Sequence, residues 1–199
     1  MSDVIEKAEK KADETAAAAT PSDAERIAAL EKKLAALERQ MPEDRLTLGV
    51  ISGDLDKVMA AFIIALGATV YDTEVDMFFT FWGTSALRDP AKRVEKKPID
   101  RMFGMMLPTG TGKLPLSKMQ MGGMGAVMMK KVMKDHGVAS LEDLMKQAAD
   151  VGVRIHVCTM TMDVMGLQEQ EIIPYPHLDF VGVGQFVDMM SRSRSCFFL

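Results

Sequence analysis

Residues 153–166, VRIHVCTMTMDVMG, decide how the chain is read. Arg154, His156 and Cys158 alternate with Val153, Ile155 and Val157. That period of two marks a β-strand with one wholly apolar side. After Cys158 the pattern changes. Thr159 or Thr161 is placed to cap a helix, Asp163 falls in its first turn, where it complements the dipole, and Gly166 ends it. A strand that becomes a helix at a cysteine is how an α/β protein sets a reactive sulfur at the carboxyl edge of its sheet.

Working outward, the elements alternate. Downstream, Phe180 to Val183 reads as a strand, Gln185 to Ser193 as a helix and Cys196 to Leu199 as a last strand. Immediately upstream, Ser140 to Asp150 is a helix with Ser140 as cap, Asp143 at its third position and Gly152 as its stop. Further back, Leu46 to Ser52 (LTLGVIS) is a buried strand, and a turn capped by Ser52 or Asp54 leads into an apolar helix from Leu55 to about Val70. Glu74 to Thr80 (EVDMFFT) is the second strand, and Phe81 to Arg88 a turn with a short helix. Strand, helix and strand in succession imply right-handed crossovers. The expected fold is α/β: a single doubly wound, mostly parallel five-stranded sheet flanked by helices, over residues 45–199.

Residues 89–126 are a less regular Met- and Gly-rich insert. A segment this long without a clear period is usually functional or a subunit surface. Its TGTGK (109–113) lacks the full phosphate-loop spacing and reads as a loop. The six methionines from Met119 to Met133 fit Cu(I) ligation, an adaptable docking surface, or core and subunit interface. Core or interface is preferred, because neither Cys nor His accompanies them. The N-terminal part differs. Residues 1–22 read as a flexible charged segment, and residues 23–42 as an amphipathic heptad helix with Ile27, Leu30, Leu34, Leu37 and Met41 spaced by 3, 4, 3 and 4. This helical, short coiled-coil-like extension either joins subunits or packs on its own domain.

The totals exclude several classes. A net charge of −4 leaves no footprint for nucleic acid. No apolar run approaches the roughly 20 residues that cross a bilayer. The start, MSDVIEKAEKK, has no signal-peptide core, so a cytoplasmic location is expected. Two cysteines and three histidines match no zinc spacing.

Several separated motifs then agree in order: SGDLDK (52–57), AAFIIALGA (60–68), MFFTFWG with Ala-Leu-Arg (77–88), LSKMQMGGMG (116–125) and C-x-M-x-MDVMG (158–166). Together they resemble the DsrE/DsrF/DsrH-like proteins, in particular their peroxiredoxin-like branch. The resemblance implies a cytoplasmic sulfur carrier that assembles into oligomers and holds sulfane sulfur as a persulfide on Cys158. It further implies TusA-like carriers and rhodanese-like sulfurtransferases as partners. No metal or organic cofactor is expected.

Local signals alone leave alternatives open. A buried strand-end cysteine is often inert. His156 shares its strand face with Cys158, as a neighbour rather than a base. Ser52, Gly53, Asp54, Trp82, Gly83, His156, Thr159, Met160, Thr161 and Asp163 are expected around the thiol at the carboxyl edge. A non-catalytic oligomeric scaffold with a structural cysteine is the competing reading. A thiol peroxidase is a third, without a resolving cysteine beside Cys158.

Overall fold

A computed structural model describes residues 22–38, 41–92 and 94–199. The expected flexible segment, residues 1–22, lies outside these except for Ser22. The chain divides into two units, residues 1–41 and 42–199. In the first, helix α1 (Asp23–Glu38) opens on a reciprocal cap. The Ser22 amide donates to Glu25 Oε2 at 2.8 Å, and the Glu25 amide donates to Ser22 Oγ at 3.3 Å.

The second unit runs β1 (Glu43–Val50), α2 (Leu55–Thr69), β2 (Glu74–Phe79), a 3-10 segment (Phe81–Leu87), α3 (Pro98–Met106), α4 (Met124–Asp135) and α5 (Leu141–Asp150). It continues with β3 (Arg154–Cys158), α6 (Thr159–Met165), β4 (Leu178–Val181), α7 (Val183–Arg192) and β5 (Ser193–Phe198). The five strands form one sheet in the order β4-β3-β2-β1-β5, and all four pairings are parallel. The expected fold is therefore observed. The last elements begin earlier than the sequence indicated: β4 at Leu178, α7 at Val183 and β5 at Ser193.

The two sheet faces are chemically distinct. Leu46, Leu48, Val50, Val75, Met77, Phe79, Val153, Ile155 and Val157 belong to the main core, together with Val58, Phe62 and Ala65 of α2 and Leu141, Leu144 and Ala148 of α5. Alternation along the strands puts Thr47, Gly49, Asp76, Phe78, His156, Cys158, Asp179 and Val181 on the opposite face. There a smaller cluster joins Phe78, Cys158 and Val181 to Phe186 and Met189 of α7. The polar side of VRIHVC thus faces α7, and its apolar side faces α2 and α5.

The insert is more ordered than its sequence pattern indicated. Pro98 opens α3 at the first helical position, where its missing N–H costs nothing. Gly110 is left-handed (φ 75°) ahead of a single 3-10 turn, so TGTGK is a loop. Met119, Met121, Met124 and Met128 are exposed, which removes them from the core; Met133 packs against it. A buried charged cluster holds the insert to the segment after α6. Arg88 Nη1 donates to the carbonyls of Gly104, Leu107 and Pro108, Arg88 Nη2 lies 3.5 Å from Glu171, and Lys96 Nζ donates to Gly166 O at 2.7 Å and pairs with Glu171. The expected Ser140 cap is present: the Asp143 amide donates to Ser140 Oγ at 3.2 Å.

Candidate functional site at the carboxyl end of β3

Cys158 ends β3 and has no solvent exposure. It is itself the N-cap residue of α6, in extended conformation (φ −68°, ψ 113°). This corrects the expectation that Thr159 or Thr161 caps the helix. Asp163 also lies beyond the first turn, which holds no acidic residue. Gly166 ends α6 as expected, with a left-handed φ of 60°. The Cys158 side chain sits under α7 among Phe78, Val181, Phe186 and Met189. Phe186 stacks on Phe78 with centroids 4.2 Å apart and meets Phe198 edge-on at 5.8 Å.

The other predicted residues gather at the same sheet edge by interlocking turns. A Cβ on Gly53 would stand 2.5 Å from the Trp82 carbonyl oxygen, and one on Gly83 would stand 2.3 Å from that of Val50. Both contacts are backbone, so only glycine lets the turns after β1 and β2 meet. Ser52 Oγ donates to Asp54 Oδ2 at 2.7 Å; Asp54 caps α2 without a side-chain bond to its amides. Thr161 accepts from the Phe81 amide at 3.0 Å and shares a 2.8 Å hydrogen bond with Thr80 Oγ1, which ties α6 to the end of β2. Thr159 donates to Val181 O at 3.4 Å. Met160 and Asp163 are exposed. Ile51, Phe81, Trp82 and Val164 are exposed as well, in the segments that follow β1 and β2 and in α6. A cavity of about 310 Å³ beside Ala86, Lys146 and Tyr175, and another of about 420 Å³ beside Leu55, Met133 and Val138, both lie away from Cys158.

His156 is occupied elsewhere. Its Nδ1 lies 2.5 Å from Asp179 Oδ1 and its Nε2 2.8 Å from Asp76 Oδ1. Asp76, an acid inside an apolar strand, also accepts from Arg45 Nη1 at 3.1 Å and from Arg154 Nε and Nη2 at 2.7 and 3.2 Å. Burial alone would raise the Asp76 pKa, but the hydrogen bonds from His156 and Arg154 hold its carboxyl well below the usual carboxylate range. Burial opposes the charge on His156, yet its bonds and charge interactions with Asp76 and Asp179 leave its pKa raised. With both nitrogens facing carboxylates, the protonated ring of His156 can donate to each and bridge β2, β3 and β4, and both nitrogens are engaged away from the thiol.

A raised folded pKa means that the His156 contribution is full below about 6.5, the unfolded value, and is lost as pH rises through the folded value. The depressed Asp76 acts oppositely; its contribution is lost only when pH falls far into the acid range. Stability measured by urea titration should therefore decline from pH 6 towards pH 9, and His156→Gln should flatten that decline. An unchanged slope in His156→Gln would exclude the assignment.

Sequence reasoning missed Asp76 and the covering residues Phe186 and Met189. The signals were present: a lone aspartate in EVDMFFT, and apolar residues three apart in the last helix. Cys196 offers no partner for Cys158. It is in register with Thr47, Asp76 and Arg154, four residues before Cys158, and lies three strand steps from β3, about 14 Å at about 4.8 Å per step. A disulfide needs Cα atoms within roughly 7 Å. Burial also pushes the Cys196 thiol pKa up.

Comparison with known proteins identifies the family. The model of the DsrE/DsrF/DrsH-like family matches residues 42–198. The uncharacterized protein YrkE of Bacillus subtilis (strain 168) is 48% identical over 144 residues, covering 72% of this chain and 89% of YrkE. The sulfur carrier protein DsrE2 of Allochromatium vinosum is 31% identical over 163 residues, covering 80% of this chain and all of DsrE2. The crystal structure of the ychN protein from E. coli aligns at a TM-score of 0.44 and 7% identity over 78% of this chain and 99% of its own, which is too distant to add weight. The match across the whole α/β unit, and the two relatives aligned with most of it, place this chain in the DsrE/DsrF/DrsH-like family.

Proposed function

We propose that the protein is a cytoplasmic sulfur carrier that holds sulfane sulfur as a persulfide on Cys158 and passes it to a partner thiol. The observation that carries this reading is the place of Cys158, at the carboxyl end of β3, as N-cap of α6 and beneath α7. The thiolate attacks the sulfane sulfur of a persulfide or thiosulfate donor. A new S–S bond forms on Cys158, and the donor's S–S bond breaks to release a thiolate or sulfite. A partner thiolate then attacks the terminal sulfur, and Cys158 leaves as thiolate; the exchange needs no outside oxidant or reductant. The first amides of α6 have no partner within the helix and suit an anionic sulfur as acceptor. The apolar cover of Phe78, Val181, Phe186 and Met189 would keep the persulfide from water and stray thiols. A 31% identical relative that is itself described as a sulfur carrier supports the class.

The exposed Ile51, Phe81, Trp82, Met160 and Val164 suit docking by a TusA-like carrier or a rhodanese-like sulfurtransferase. The complete burial of Cys158 also favours a second reading, a scaffold whose cysteine is structural. Transfer separates the two. Protein loaded from ³⁵S-thiosulfate labelled in its sulfane sulfur, then freed of donor, should pass label to a small carrier-protein thiol. Transfer should vanish in Cys158→Ala and persist in Cys196→Ala. Label that never leaves the loaded protein, or transfer that survives in Cys158→Ala, would rule the carrier out.

A further inference from the structure

Helix α1 carries a feature that the sulfur chemistry does not use. Its two heptads nearly repeat: IAALEKK at 27–33 and LAALERQ at 34–40 share Ala-Ala-Leu-Glu. Assigning Ile27 to position a puts Leu30 and Leu37 at d and Leu34 at a. The four are 55%, 64%, 60% and 57% exposed in that order, and nothing among the described residues of the N-terminal unit covers the seam. The alanines at 28, 29, 35 and 36 occupy b and c, on the outside.

The flanking charges decide what fits that seam. Position g holds Arg26 and Lys33, and position e holds Glu31 and Glu38. In a parallel in-register pair, each g residue faces the e residue of the next heptad on the other helix, so Arg26 meets Glu31 and Lys33 meets Glu38. An antiparallel pair sets g against g and e against e, which joins cation to cation and acid to acid. Ile at a with Leu at d also favours two strands. The reciprocal cap between Ser22 and Glu25 forms the turn just ahead of the seam. We infer that α1 is the pairing element for a second copy of this chain, joined as a parallel, in-register two-stranded coiled coil. Two heptads are marginal alone, so the element serves where the full chains already meet or are concentrated.

The test is disulfide trapping in the full-length protein. Leu30→Cys and Leu37→Cys should each form a covalent homodimer through their own new cysteine on mild oxidation, since a parallel pair sets each d residue against itself. With Cys196 replaced by alanine throughout, Ala36→Cys, on the outside, should remain uncrosslinked, as should the parent protein, whose remaining Cys158 is buried. Adding Arg26→Glu and Lys33→Glu to Leu30→Cys should abolish the link, because all four flanking positions then repel. A link between Leu30→Cys and Leu34→Cys chains when the two variants are mixed, with Leu30→Cys silent alone, would show an antiparallel pair and overturn the inference. Equal linking at 30, 36 and 37, or none at 30 and 37, would overturn it as well.

Discussion

Replacing Asp76 by alanine should destabilise the α/β unit by about 3–5 kcal/mol, the usual cost of removing one partner from a buried charge cluster. The Asp76 carboxylate accepts from Arg45, Arg154 and His156 and is almost wholly buried. Without it, Arg45 and Arg154 retain only Glu43 or Glu74 at the more exposed edge, and His156 retains only Asp179. The cost therefore falls on cations left within the sheet as well as on lost hydrogen bonds. For a chain of this size it corresponds to a fall in Tm of roughly 10 °C. Asp76→Asn should be intermediate, since its amide keeps one acceptor but turns an N–H group towards a guanidinium. Urea titration should show a lower midpoint at unchanged slope. A loss below about 1 kcal/mol would mean that the network is screened like a surface ion pair.

Phe186→Ala should make Cys158 much more reactive towards a small alkylating reagent such as iodoacetamide. The thiol has no exposure, so alkylation must await a local opening of α7. That opening exposes the Phe186 ring, which stacks on Phe78 and touches Phe198. Burial of such a ring is worth roughly 1.5–3 kcal/mol, and its removal should lower the opening cost by about that amount. The alkylation rate constant should rise roughly 10- to 100-fold, at about tenfold per 1.4 kcal/mol. Val187→Ala, on the exposed side of α7, should leave the rate unchanged. Equal rates in wild type and Phe186→Ala would mean that the thiol is reached by a path other than past α7.

The β3 stretch shows where sequence reading succeeds and where it stops. Period two in VRIHVC gave the strand, its apolar side and the cysteine's place at the carboxyl end, because a pleat fixes which residues share a face. The same stretch did not disclose what its polar side meets. Asp76 lies 78 residues before Arg154 and 80 before His156, and it joins them only through the register of β2 on β3. Thr161 was legible near the site, but its bond to Thr80, 81 residues away, was not. The last helix was read two residues late, and its position over the thiol depends on the crossover from β4 to β5 across the whole sheet. Helix α3 was missed because residues 89–126 were read as one segment without a clear period, and Pro98 was not used as the start signal of a first helical residue.

The central claim is that sulfur rides on Cys158. Intact-protein mass spectrometry after incubation with thiosulfate or polysulfide, followed by donor removal, tests it most directly. Wild type and Cys196→Ala should each gain the mass of one sulfur atom, reversible by a reducing thiol, and Cys158→Ala should gain none. An adduct that persists in Cys158→Ala, or no adduct on wild type with either donor, would contradict the account.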